Sequence, residues 1–142
     1  MGEKARIGQL TYNVIDTTWK SQLGDSFKTR IPERRFLEVR ISVTNEGSKE
    51  ISLPLTTLEG ASGEQFKELE NGEGVDGWFG LFRTIAPGKT ETGVLLFDVA
   101  LTSYKLRLPD GGATGEEKYG TVVLPLRMDV DTQVKMPVPG SK

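Results

Sequence analysis

The sequence predicts an all-β fold, a sandwich or barrel of around eight short strands. Three observations carry that expectation. First, Phe36 to Asn45 alternates cleanly, with Leu37, Val39, Ile41 and Val43 on one face and Glu38, Arg40, Ser42 and Thr44 on the other. Successive strand side chains point to opposite sides, so the pattern describes a half-buried strand over a core. Second, the 142 residues include 17 Gly and 7 Pro, placed as turn signals between β-rich runs. Third, no stretch has helical periodicity, and there is no internal repeat.

In chain order, Lys4 to Gln9 reads as a first strand, with Gly8 marking a kink or bulge. Leu10 to Leu23 is rich in β-branched and aromatic residues, which favours strand. Its apolar residues change parity near Asp16, so a bulge is expected there. Gly24 to Glu33 is a polar connection, a candidate mobile loop. Phe36 to Asn45 follows, closed by Asn45-Glu46-Gly47 turn chemistry. Glu50 to Leu55 is a short strand whose Pro54 places it at an edge or strand end. Thr56 to Glu59 and Glu64 to Leu69 form a hairpin around Gly60-Ala61-Ser62-Gly63. Residues 70–77 are the densest turn cluster. Trp78 to Phe82 then alternates as a strand would, with Trp78, Gly80 and Phe82 opposite Phe79 and Leu81. Glu91 to Ala100 carries apolar residues on both parities, so a central strand covered on both faces is expected. Tyr104 to Leu108 and Thr121 to Leu126 complete the set. Residues 127–142 read as an extended tail after a single domain at 1–126.

Size and composition fit one ordinary soluble domain: 36% hydrophobic, 27% charged, net charge -2. That balance offers no basic face for nucleic acid. The chain has no Cys and no His. Zinc and copper sites depend on thiolate and imidazole, so neither metal is expected. Cysteine nucleophiles, the Ser-His-Asp triad and histidine bases are excluded. Met1 to Arg6 is charged and no apolar segment follows, so no signal peptide is expected within these residues. The longest apolar run, Val94 to Phe97, is far too short to span a membrane. A cytosolic protein and an exported one whose leader lies outside these residues both fit.

Several motifs reduce to turns. Gly72-Glu73-Gly74-Val75-Asp76-Gly77 matches G-x-G-x-x-G, and Asp98 stands roughly where a ribose-binding acid belongs. The dinucleotide motif needs a strand before it and a helix after it, and here acidic residues surround it. Gly88-Lys89-Thr90 resembles the end of a P-loop, but Arg83 replaces the required first glycine. Asp129 to Gln133 starts like a calcium loop and lacks its glycine and bidentate glutamate. Glu64, Glu68, Glu70, Glu73 and Asp76 are a better oxygen-ligand set for calcium, weighed against a solvated charge run. Glu116-Glu117 is a carboxylate pair with nothing to set it across a cleft.

Two stretches stand out as contact candidates. Lys28, Arg30, Arg34, Arg35 and Arg40 form a basic cluster that could meet an anionic polymer or headgroup, or simply be a solvated surface. In Trp78-Phe79-Gly80-Leu81-Phe82, either both faces are buried or one is an exposed aromatic contact.

Four stretches in order resemble one family. Phe36 to Gly47 is similar to its F-x-x-V-x-V-x-V-x-N-x-G strand and turn, and Leu58 to Phe66 to its L-x-D-x-x-G-x-x-Y/F hairpin. Leu81 to Thr90 with Val94 to Val99 resembles its L-x-P-G-x-x-x-x-G-x-x-x-F-x-V segment, and Tyr104 to Leu108 the strand that closes it. The family is the telokin-like, immunoglobulin-type domain of bacterial exported proteins, grouped by fold with immunoprotective extracellular antigens. The resemblance spans roughly Ile7 to Leu126. It implies an immunoglobulin-like β-sandwich of two antiparallel sheets with about seven to nine strands, on or outside the cell. It brings no catalytic residues, and the family's function is unassigned.

The resulting expectation is a non-enzymatic, secreted or cell-surface interaction domain. It takes no cofactor, and its partner is a protein or a cell-envelope component. Trp78, Phe79, Arg34 and Arg35 are its expected contacts. The alternatives are a structural accessory module of an envelope assembly, pairing through a strand edge, and a calcium-binding sandwich. A hydrolase that uses carboxylates alone is a further possibility.

Overall fold

The computed structural model describes residues 3–24, 28–111 and 118–126. The expected tail at 127–142, the Glu116-Glu117 pair and the Asp129 to Gln133 stretch lie outside those residues. Twelve strands and no helix are present among the described residues. They are β1 (Glu3–Ile7), β2 (Leu10–Lys20), β3 (Leu23–Gly24), β4 (Thr29–Arg30), β5 (Phe36–Asn45) and β6 (Ile51–Leu53). The remainder are β7 (Thr57–Glu59), β8 (Gln65–Lys67), β9 (Arg83–Ile85), β10 (Thr90–Asp98), β11 (Tyr104–Pro109) and β12 (Tyr119–Leu124).

Two antiparallel sheets make the sandwich, in the orders β1-β2-β5-β10 and β12-β11-β7-β8. Two ribbons, β3–β4 and β6–β9, stand beside them. These small pairs raise the strand number above the expected seven to nine.

The alternation of β5 does what period-two patterning requires. Leu37, Val39, Ile41 and Val43 are all buried in the main core. Leu10, Tyr12 and Val14 of β2 and Leu95 and Phe97 of β10 join them from the same sheet. Leu58, Leu106, Leu108, Val122 and Leu124 close the core from the other. Each such side chain contributes about 1.5–3 kcal/mol by leaving water. The Tyr12 hydroxyl donates to the Pro109 carbonyl at 2.6 Å, so a buried aromatic also links the sheets through a polar tip.

The bulge lies where the parity change places it. The β2–β5 register shifts between Val14 and Asp16. Before it Leu10, Tyr12 and Val14 are buried; after it Thr17 and Trp19 are. One extra residue turns the strand over and keeps apolar side chains inside at both ends.

Four sequence expectations need correction. Gly8 is not a kink within a strand: with φ of 63° it sits in the two-residue turn between β1 and β2, where Ile7 pairs Leu10. The polar connection after Leu23 is not all loop, because Leu23 pairs Arg30 and Gly24 pairs Thr29. β10 is covered on both faces, as expected, but it ends its sheet and pairs only β5 as a strand. Trp78 to Phe82 is not a strand. Gly80 has φ of 87°, which breaks the extended chain, and the strand starts at Arg83 instead.

Asn45 shows how the family-like turn is held. It has no exposed surface. Its Nδ2 donates to the Lys49 carbonyl at 2.7 Å and the Ile85 carbonyl at 2.9 Å, and its Oδ1 accepts from the Gly47 amide at 2.9 Å. One side chain closes the turn and fastens β9 to the end of β5.

Asn45→Ala would leave those backbone groups without partners, at a cost of about 2–4 kcal/mol. Urea unfolding checks this; a loss below about 0.5 kcal/mol, the usual surface range, would contradict it.

Candidate functional site

The outer face of the β1-β2-β5-β10 sheet is polar over most of its width, where Glu38, Arg40, Ser42 and Thr44 face away from the core. At the β10 side it is not. Phe36, Val94 and Leu96 point outward and are buried, so something must cover them. Two segments converge to do so. The β3–β4 ribbon brings Leu23, and residues 69–78 bring Leu69, Val75 and Trp78. The two loops singled out in the sequence, 24–33 and 70–79, thus meet on one side of the sandwich.

Backbone hydrogen bonds seat the second segment along the free edge of β10. Leu69 N donates to Leu96 O at 2.9 Å, Phe79 N to Val94 O at 3.0 Å, and Val94 N to Gly77 O at 2.9 Å. Trp78 makes a parallel bridge with Val94. An edge that would otherwise present unpaired groups is therefore blunted by an irregular segment. Gly72 lets the segment close: a Cβ there would lie 1.9 Å from Trp78 Cδ2, so the indole rests directly on its backbone. The Gly72 to Gly77 motif is turn structure, as the sequence predicts, with no helix after it.

A buried ion pair fixes both ends of this segment. Glu68 is 2% exposed and Arg83 3%. Arg83 donates from Nη1 to Glu68 Oε1 at 2.8 Å and from Nη2 to Oε2, a bidentate pairing. Glu68 Oε1 also accepts from Thr56 N at 2.9 Å and Thr56 Oγ1 at 2.8 Å. Arg83 Nε donates to Gly80 O at 2.7 Å, and its guanidinium lies 5.2 Å from the Phe79 ring centroid. Sequence reasoning placed Glu68 among calcium ligands and gave Arg83 no structural role. The available signal was parity: Arg83 shares the inward face of buried Ile85, and Glu68 that of half-buried Phe66.

The sequence candidates are distributed as follows. Trp78 is half-buried against the outer cluster, and its Nε1 is buried with no partner among the described residues. Phe79 is half-buried against the main core. Between Phe79 and Arg83 the chain leaves the surface, and Phe82 is 96% exposed with Leu81 at 45%. Arg34 and Arg35 are exposed on the connection into β5. There Asp98 accepts from Glu33 N at 2.8 Å and Arg34 N at 2.9 Å, and Val99 N donates to Arg35 O. Asp98 is thus engaged in holding that connection. The basic cluster divides: Arg40 pairs with Asp16 at 3.6 Å on the outer sheet face, while Lys28 and Arg30 meet residues 71–74.

The acidic stretch does not converge as calcium binding would need. Glu64 accepts from the Ser62 amide, Glu68 is held by Arg83, and Glu73 by Lys28. Among the described residues no three acidic, His or Cys side chains gather to hold a metal ion. Burial pushes the Tyr104 hydroxyl above its ordinary value, with nearby Arg34 pulling the other way. That hydroxyl donates to the Ala100 carbonyl at 2.7 Å.

Fold and surface together define an all-β sandwich domain whose loops gather on one covered side. The chain belongs to the family described as Domain of unknown function (DUF4352), whose profile matches residues 1–118. No curated protein matches it significantly. Among solved structures it is similar to the yjhA protein from Bacillus subtilis, with TM-score 0.67 and 17% identity over 87% of this chain and 97% of that one. A functionally unknown protein from Listeria monocytogenes EGD-e gives 0.59 and 14%, covering 88% and 82%. A candidate lipoprotein (ycdA) from Bacillus subtilis gives 0.59 and 14%, covering 84% of this chain and 38% of that one. At these identities the likeness shows the fold alone. Among the described residues no helix is long and apolar enough to cross a membrane.

Arg83→Met would leave the Glu68 charge buried without its partner, and stability is expected to fall by about 3–5 kcal/mol. Adding Glu68→Met should restore part of the loss, because it removes the stranded charge while leaving the Thr56 donors without their acceptor. Chemical denaturation of the single and double variants checks this; a double variant as unstable as the single would contradict it.

The Glu73 carboxyl lies below its ordinary value of 4.5. The Lys28 hydrogen bond is the main cause, then the Lys28 charge, with burial opposing and Arg30 assisting. A depressed folded value means the Lys28–Glu73 contact contributes above the unfolded value and is lost as pH falls through the folded one. Amides of Thr29 and Gly74 should shift on acidification below about 4.5 while those of Val39 and Leu95 stay fixed. A Glu73 midpoint at or above 4.5 in an NMR titration would contradict this.

Proposed function

We propose that this chain is a telokin-like, non-enzymatic interaction domain that works on or outside the cell and binds a protein or cell-envelope component. The observation that carries the reading is the Leu81-Phe82 projection: Phe82 is 96% exposed while both flanks are anchored. On one side Phe79 is bonded to β10; on the other Arg83 is locked to Glu68. Phe82 with the adjacent exposed Leu81 makes a small apolar projection, and covering it would be favourable to a partner. Rigid presentation lowers the ordering cost of binding, and aromatic anchors dominate many interfaces.

In this reading Trp78 and Phe79 set the base of the contact, and Phe82 is its tip. Arg34 and Arg35 give a second, charged contact that tunes encounter. A location outside the cytoplasm draws support from the likeness to a candidate lipoprotein and from the telokin-like resemblance.

A photo-crosslinking residue at position 82, installed in the producing cell, is expected to give a discrete adduct. The same residue at Val123, exposed on β12, should not. Phe82→Ser should leave the melting temperature within about 1–2 °C of wild type, as surface changes do, and weaken capture by the purified partner at least tenfold. Equal adducts from both positions, or none from either, would rule the projection out as the contact.

A further inference from the structure

Between the β3–β4 ribbon and residues 71–74 lies a cleft of about 450 Å³, lined by Gly24, Lys28, Thr29, Arg30, Asn71, Glu73 and Gly74. Its chemistry is set by two cations held in different ways. Arg30 is half-buried, with its guanidinium 5.2 Å from the Phe36 ring centroid. Its Nη1 donates to the Glu73 carbonyl at 3.0 Å. These contacts fix the plane of the fork and leave further donors, and no carboxylate pairs with Arg30 among the described residues. Lys28, by contrast, holds the Glu73 carboxylate at 2.5 Å, with both side chains more than half exposed. An exposed ion pair of this kind contributes little and exchanges readily. Asn71 Oδ1 accepts from the Glu73 amide at 2.9 Å, and its side-chain nitrogen has no partner among the described residues.

An oriented, half-buried guanidinium that forms no ion pair among the described residues, with the Glu73 carboxylate near it only as a field, is a group that recognises a planar or tetrahedral oxyanion through two parallel hydrogen bonds. We propose that this cleft binds the carboxylate or phosphate group of a small ligand, with Arg30 as the bidentate donor and Lys28 released from Glu73 as the second cation. The Asn71 amide supplies a neutral donor on the facing wall. Glu73 then acts as an internal competitor that occupies Lys28 until an oxyanion replaces it. The cleft volume admits a ligand of amino-acid to dipeptide size. This site uses none of the residues assigned to the Phe82 contact, so the two readings stand or fall separately.

The test is an amide NMR titration of the intact chain at fixed ionic strength, with sodium succinate in one arm and inorganic phosphate in the other. Saturable shifts centred on Gly24, Thr29, Arg30, Asn71 and Gly74 are expected in at least one arm, and the arm that saturates identifies the oxyanion. Arg30→Lys keeps the charge and loses the fork, so binding should weaken about tenfold. Glu73→Gln removes the competitor and should tighten binding by about threefold; it leaves Arg30 and its Phe36 contact in place. Non-saturating shifts spread over all exposed cations, in both wild type and Glu73→Gln, would overturn the site. So would wild-type affinity in a folded Arg30→Lys variant.

Discussion

The structure depends on the buried pairing of Glu68 with Arg83. Two charges removed from water are unfavourable unless geometry and extra hydrogen bonds compensate. Here the pairing is bidentate, Thr56 adds two donors to the carboxylate, and the Gly80 carbonyl takes the remaining Nε hydrogen. The pair ties three separate stretches into one arrangement: the entry to β7, the end of the β7–β8 hairpin, and the start of β9. It fixes both ends of the path taken by residues 69–82.

That path has two consequences. Residues 69–79 lie on the open edge of β10 and cover Phe36, Val94 and Leu96, so a sheet that could have ended in an exposed apolar edge is closed. Between the two anchors Leu81 and Phe82 then stand out in solvent. Coverage of the sheet and display of Phe82 follow from the same constraint. The β3–β4 ribbon completes the cover with Leu23, and in crossing to residues 71–74 it forms the cleft that holds Arg30.

The sandwich was largely legible in the sequence, because period-two burial leaves its mark directly on residues such as Leu37, Val39, Ile41 and Val43. The bulge near Asp16 was legible for the same reason: apolar parity reverses there. What was not legible arises from long-range pairing. Parity with Phe66 hints that Glu68 faces inward, but its charge partner Arg83 lies fifteen positions away and nothing local announces the pairing. The Trp78 to Phe82 alternation misled because Gly80 adopts a left-handed conformation that breaks the strand. The meeting of loops 24–33 and 70–79 was hidden too, since each reads as an ordinary polar turn until Val94 and Leu96 require a cover.

Native-state hydrogen exchange at Leu69, Phe79 and Val94 tests most directly whether the ion pair holds this segment as part of the folded body. These amides donate the hydrogen bonds that join the segment to β10. A rigidly held segment predicts protection close to that of Val39 and Leu95 in the core strands. Exchange at the rate of an open loop, with Val39 and Leu95 still protected, would contradict it.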